Sequence, residues 1–371
     1  MRKSTSAATL LFCGLLTLAL APRTPTVHAA AKSSTAAATW NPQAAAHYLD
    51  DRETWWQAWP RAQKDHGTYC ISCHTVVPYA MARSALPAGA STPAPEQAML
   101  ASVEKRVGAW STMAPFYPDA KYGPGKSAES RATEAVLNVI ILASVDAAGG
   151  TVRPITRTAY ANAWALQETS GPLAGGWKWQ DFHLGPWEST ESGYQGAALL
   201  MVESLNLPGS FAHERGTRAH LDRLRDYLRR NYAAQPLLNQ LYVLWASARE
   251  PGLLTGSQRK ALLASVRSLQ QDDGGFRLAA LDPRERVDHS PAPTASDGYA
   301  TGLVALALES RSPRDPTRRR SRAWLLTHQQ SDGTWTAASL NKQRDPASDP
   351  AAFMTDAATA YAVLALAQQQ P

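Results

Sequence analysis

Apolar residues recur at helical spacing along almost the whole chain, and they do so in pairs of segments. Residues 42–59 set Tyr48, Trp55, Trp56 and Trp59 on a polar background, and Pro60 ends the run. Residues 75–86 are apolar and alanine-rich, 96–110 are amphipathic, and 130–145 are apolar on most faces. The rhythm continues with 158–167 and 194–205, 218–232 and 237–247, 257–271 and 297–310, and 317–330 and 356–368. First members carry Arg, Lys and Gln; second members are rich in Ala, Gly, Leu and Val. A helix that is apolar all round belongs inside, whereas an amphipathic one covers it. The pattern therefore predicts an all-α fold of six helical hairpins, the second members forming the inner layer.

An internal repeat runs through the last two hairpins. Gln271-Asp272-Asp273-Gly274-Gly275-Phe276 corresponds to Gln330-Ser331-Asp332-Gly333-Thr334-Trp335, and Ser296-Asp297 corresponds to Thr355-Asp356 at the same spacing. Gly175-Gly176-Trp177 with Ser192-Gly193-Tyr194 is a looser third copy. Repeats of this length signal stacked helical pairs with a continuous core. The Q-x-D-G-x-W/F pattern resembles the repeat of the terpenoid cyclase and prenyltransferase group, which includes the squalene–hopene cyclases. That resemblance implies an α/α toroid, an inner barrel of helices ringed by outer ones. It covers 271–367 well, 163–205 loosely and the N-terminal third only by rhythm. In this reading Gln271 and Gln330 bond neighbouring helix ends, the glycine makes the turn, and Phe276 and Trp335 plug the gap between hairpins. Asp297 and Asp356 are expected to cap the helices that follow them. The family's catalytic DxDD and DDxxD boxes have no counterpart, and no cysteine follows Cys73 to serve a prenyltransferase zinc site. The resemblance thus bears on fold; activity has to be argued from the site.

The chemistry concentrates in Cys70-Ile71-Ser72-Cys73-His74. A CxxCH pentapeptide has the spacing of c-type haem attachment, with two thiols for the vinyl groups and an imidazole for the iron. A Cys70–Cys73 disulfide and a zinc site using both thiols and His74 are the alternatives; zinc would need a fourth ligand. The N-terminus bears on the choice. Met1-Arg2-Lys3, an apolar run over residues 7–21 and Val27-His28-Ala29 form a secretory signal pattern, with cleavage expected after Ala29 or Ala30. The chain is then periplasmic or extracellular, and Cys13 leaves with the signal. Residues 1–29 are the signal peptide, 30–41 a flexible leader, 42–148 an N-terminal helical region and 149–371 the cyclase-like repeats.

For the sixth position on the iron, Met81, Met99 and Met113 are candidates, Met113 foremost because it lies in a proline-flanked turn ahead of a helix. His47 and His66 are weaker rivals, expected at the surface. The order of helix, CxxCH, methionine turn and helix also resembles a small class I cytochrome c. The alternative architecture is therefore a cytochrome-like domain over about 40–148 followed by a toroid of four hairpins.

Charge changes little. Lys and Arg number 37 against 31 Asp and Glu; removing Arg2, Lys3 and Arg23 with the signal leaves about +3, too mild to imply nucleic acid. No second apolar run approaches a membrane span. The densest aromatic run, Trp177, Trp179, Phe182, Trp187 and Tyr194, is interleaved with Asp181, His183, Glu188 and Glu191. It serves either as an apolar cavity wall with an acid in it or as a packed loop, and no pair at catalytic spacing marks it out. The functional expectation is one covalent haem c on a helical scaffold, moving electrons to an unknown redox partner or sensing a small ligand. The competing readings are a toroid enzyme for an apolar, isoprenoid-like molecule and a non-catalytic scaffold.

Overall fold

The computed structural model describes residues 39–86, 93–309 and 314–367. The expected signal peptide, and the leader as far as residue 38, lie outside the described residues. The described chain falls within one compact unit, Ala38–Pro371. It is all-α apart from one short hairpin. In chain order the helices are α1 (Pro42–Ala58), α2 (Val76–Ala85), α3 (Pro93–Gly108), α4 (Asp119–Tyr122), α5 (Lys126–Gly149), α6 (Pro154–Ala165) and α7 (Ser192–Asn206). They continue as α8 (Arg215–Asn231), α9 (Leu237–Ala246), α10 (Gly256–Leu269), α11 (Leu278–Leu281), α12 (Gly298–Glu309), α13 (Pro316–Thr327) and α14 (Asp349–Ala367). Two-residue strands β1 (Gln63–Lys64) and β2 (Thr68–Tyr69) pair antiparallel between α1 and α2.

Six helices pack in cyclic order. α2 lies on α5, α5 on α7, α7 on α9, α9 on α12, α12 on α14, and α14 returns to α2. These are the second members of the six hairpins. Their apolar residues are buried on every face: along α12, each residue from Gly298 to Leu308 is inside. α1, α3, α6, α8, α10 and α13 lie outside this ring, each covering an inner helix or a neighbouring outer one. Residues 42–148 therefore share the ring, through α2 and α5, with helices from the far end of the chain.

The repeat turns form the joints between hairpins. Gly175, Gly274 and Gly333 all have φ near +90°. A Cβ at Gly175 would stand 2.2 Å from the carbonyl oxygen of Arg223 in α8, and one at Gly333 would stand 2.4 Å from that of Ala44 in α1. Only glycine lets the turn rest on the next outer helix. The bridging glutamine is one residue earlier than expected. Gln270 donates to the carbonyls of Gly274 and Thr317, while Gln271 spends its side chain on Leu269 within the turn. Gln329, not Gln330, does the same at the last joint, and Gln167 at the third copy. Gln329 reaches Asn41, donating to its carbonyl and accepting from its N–H at 2.7 Å. The last joint thus ties the end of the chain to its beginning, and Trp40 packs on Trp335 beside it. The leader is accordingly held down by its last residues.

Phe276 and Trp335 are fully buried, as wedges between hairpins should be. Asp297 caps α12, accepting from Ala300 N–H at 2.8 Å. Asp356 does not cap: α14 begins seven residues earlier, at Asp349, so Asp356 sits mid-helix and turns inward. Among the described residues, α5 and α14 are long and apolar enough to satisfy a membrane-span criterion, and both are mostly buried in the ring.

Candidate functional site

The pentapeptide forms a turn that feeds into α2 rather than a turn of helix. The β1–β2 hairpin delivers it: Cys70 N–H donates to the Ala62 carbonyl at 2.7 Å, and the Trp56 indole donates to the Cys70 carbonyl at 2.7 Å. The Ser72 hydroxyl accepts from the N–H groups of Thr75 and Val76, capping α2. Backbone and Ser72 thus hold the turn, and neither sulfur is needed for it.

Cys70, Cys73 and His74 line one cavity, open at its mouth. Its walls come from several parts of the ring: Trp56 of α1, Phe116 and Tyr117 of the loop before α4, Leu137 of α5, Trp187 and Glu188 before α7, and Phe353 and Met354 of α14. Arg344 and Asn341 also line it. The lining is largely apolar, as ligand pockets usually are. Gln180 is buried against it with both amide atoms unpartnered among the described residues, a cost that a polar group on a bound molecule would relieve.

The His74 ring is boxed in. Phe353 stacks on it with centroids 3.9 Å apart and planes 16° apart; Trp56 meets it edge-on at 5.0 Å, and Trp187 is 5.7 Å away. Its Nδ1 lies 2.9 Å from the Thr75 hydroxyl, which donates to Asp356 at 2.7 Å. Asp356 also accepts from the Tyr48 hydroxyl and from Nε and Nη2 of Arg52. Four donors converge on this carboxyl, the environment of an ionised acid. Burial pushes its pKa upward against the pull of Arg52 and the hydrogen bonds. Burial, aided by the Arg52 cation, pulls the His74 pKa down to about 3, so the imidazole is neutral. A neutral ring is the form that binds metal.

The two thiols are unpaired. Burial pushes Cys70 up to about 11 and Cys73 well above its ordinary value. Such thiols carry little thiolate. Among the described residues no three His, Cys, Asp or Glu side chains converge as a metal cluster. A CxxCH haem would ask for something different. It needs two sulfurs beside an apolar cavity and a single oriented imidazole, and the residues fit that requirement.

Met113 is buried in its turn but is not among the residues lining the cavity, whereas Phe116 and Tyr117, three and four positions on, are. Met81 and Met99 are core residues. The methionine at the cavity is Met354, which the reading of the sequence passed over. His47 and His66 are exposed and lie beside Asp51 and Asp65. The aromatic run divides. Trp177 and Tyr194 are core, Phe182 packs on Tyr117 and Tyr122, and Trp187 and Glu188 reach the cavity. Burial raises the Glu188 pKa to about 7. Asp181 instead bonds Thr190 and the His183 backbone, and Glu191 bonds Ser189. Glu188 was visible as an acid among aromatics. Thr75, Asp356 and Arg52 carried no signal beyond the repeat match at Thr355-Asp356.

No family model matches the chain, and no curated protein matches its sequence. Among solved structures, one described as a polysaccharide lyase is similar over 90% of both chains, at 13% identity and a TM-score of 0.38.

Proposed function

We propose that this is an exported c-type haem protein built on an α/α toroid, and that it carries electrons. Cys70 and Cys73 would hold the haem through thioethers and His74 would bind its iron; the bound haem would supply one-electron redox chemistry. The protein's own contributions are to orient the imidazole, exclude water with Trp56, Trp187 and Phe353, and hold the cavity open between α1, α5 and α14. The observation that carries the reading is the pentapeptide's placement. Both sulfurs and the imidazole border one largely apolar cavity. The cyclic packing of inner helices and the three glycine joints support the toroid. The signal pattern at residues 1–29 supports export to the periplasm or beyond.

Mass spectrometry of the intact secreted chain tests this directly. One covalent haem adds on the order of 600 Da, and a secreted chain at its plain polypeptide mass overturns the proposal. Glu188 supports a second reading. A carboxyl held protonated to about pH 7 in an apolar cavity can donate a proton to an apolar, isoprenoid-like substrate. A colourless protein that lost turnover of such a substrate on Glu188→Gln would favour it.

A further inference from the structure

We propose that Asp356, acting through Thr75, is the positioning residue that fixes the tautomer of His74 and so selects which ring nitrogen is offered to a metal. The Thr75 hydroxyl has one hydrogen, and it goes to Oδ2 of Asp356 at 2.7 Å. At its 2.9 Å contact with His74 the same hydroxyl can then only accept, so Nδ1 of the neutral ring carries the ring hydrogen. Nε2 is left with its lone pair. Metal-binding histidines are commonly held in this way through the other nitrogen, which also makes them stronger donors.

Asp356 is well placed to enforce this. It is buried, and Arg52 grips it with two nitrogens, Nε on Oδ1 at 2.7 Å and Nη2 on Oδ2 at 3.1 Å. The Tyr48 hydroxyl adds a bond to Oδ1 at 2.7 Å. All of its partners come from outside α14, Tyr48 and Arg52 from α1 and Thr75 from the turn before α2. Phe353 lies three residues before Asp356, on the same face of α14. One residue of this face covers the imidazole plane while the other, through Thr75, fixes its edge. The carboxylate thus sits at the α1–α14 seam, the seam that Gln329 and Asn41 close, and ring closure and ligand orientation share a support.

The iron in this inference rests on the haem reading; the tautomer does not, so the two can fail separately. The test uses the full secreted chain and three variants, Thr75→Val, Thr75→Ser and Asp356→Asn. Intact mass first establishes whether haem is present. If it is, the iron–histidine stretching band and the reduction potential are measured. Thr75→Val, which keeps the Asp356–Arg52 pair and the side-chain shape, is expected to lower the stretching frequency and raise the potential. Asp356→Asn should move both in the same direction, and Thr75→Ser should restore wild-type values. If haem is absent, ¹⁵N spectra of histidine-labelled protein report the His74 tautomer. The ring hydrogen is expected on Nδ1 in the wild type and on Nε2 in Thr75→Val. A Thr75→Val protein with wild-type band and potential, or a wild-type His74 protonated on Nε2, overturns the proposal.

Discussion

Replacing Cys70 and Cys73 together by alanine should leave the site's frame standing. The turn is held by the Trp56 bond to the Cys70 carbonyl and by the Ser72 cap, and no sulfur takes part in either. The expected outcome is a double variant that folds and is secreted but is lighter than the wild type by on the order of 600 Da beyond the side-chain change, read by intact mass. Methionine substitutions separate two positions. Met113→Leu should leave the visible spectrum of the loaded protein unchanged, whereas Met354→Leu should shift it, because only Met354 lines the cavity. At this scale the sequence displayed the reactive groups and hid their supports. CxxCH is a local pattern and could be read directly. Thr75 and Asp356 are 281 positions apart, and nothing local announces that a threonine after the histidine will meet an aspartate from the last helix.

At the scale of elements, the joints carry the most information per residue. Gly333 has φ +91° and rests on the Ala44 carbonyl, while Gly252 has φ +86° with open space around its missing Cβ. Alanine at Gly252 meets only the left-handed backbone penalty, about 1 kcal/mol. Alanine at Gly333 must in addition push α1 away, and the expected loss is about 2–4 kcal/mol, measured from urea midpoints of the two variants. Equal losses would mean that the joint does not bear on α1. Helix order and the inner–outer assignment followed from periodicity, since an Ala/Leu-rich helix such as α12 has no polar face to expose. Boundaries followed less well. The start of α14 was placed at Asp356 because Thr355-Asp356 copies Ser296-Asp297, yet the helix reaches back to Asp349. The same aspartate caps a helix in one repeat and bonds Arg52 and Thr75 in the other. The glutamine was misplaced by one position because Gln270-Gln271 and Gln329-Gln330 are both doublets, and only three-dimensional packing tells which member faces the neighbouring helix.

Across the whole molecule, two consequences follow from packing apolar helices in a ring. The first concerns pH. Burial raises Glu53, Glu203 and Asp297 to about 7. In the unfolded chain these groups titrate near 4. Between about pH 4 and 7 the native state therefore holds protons that the unfolded state has lost, so stability falls as pH rises through that window. His74, lowered to about 3, and His220, also lowered, act oppositely below about pH 6.5, but Glu188, raised to about 7 as well, adds to the three acids. The thermal midpoint of the haem-free protein should fall from pH 5 to pH 7.5, and Glu203→Gln should make that slope shallower; an unaltered slope would contradict the assignment. The second consequence concerns divisibility. A cytochrome-like unit over 40–148 would fold alone and leave four hairpins behind. In the structure α2 packs against α14 and α5 against α7, so cutting near residue 148 strips apolar faces from both fragments. Ile140, Ile141 and Leu142 of α5, along with Leu200 and Met201 of α7, are completely buried in the intact chain. Neither fragment 39–148 nor fragment 149–371 should give dispersed amide proton spectra or a cooperative thermal transition by itself, while mixing them should restore both signals if the ring can reassemble. A fragment 39–148 that folded cooperatively and carried haem alone would instead make the first two hairpins an independent domain, with the ring a surface on which it docks.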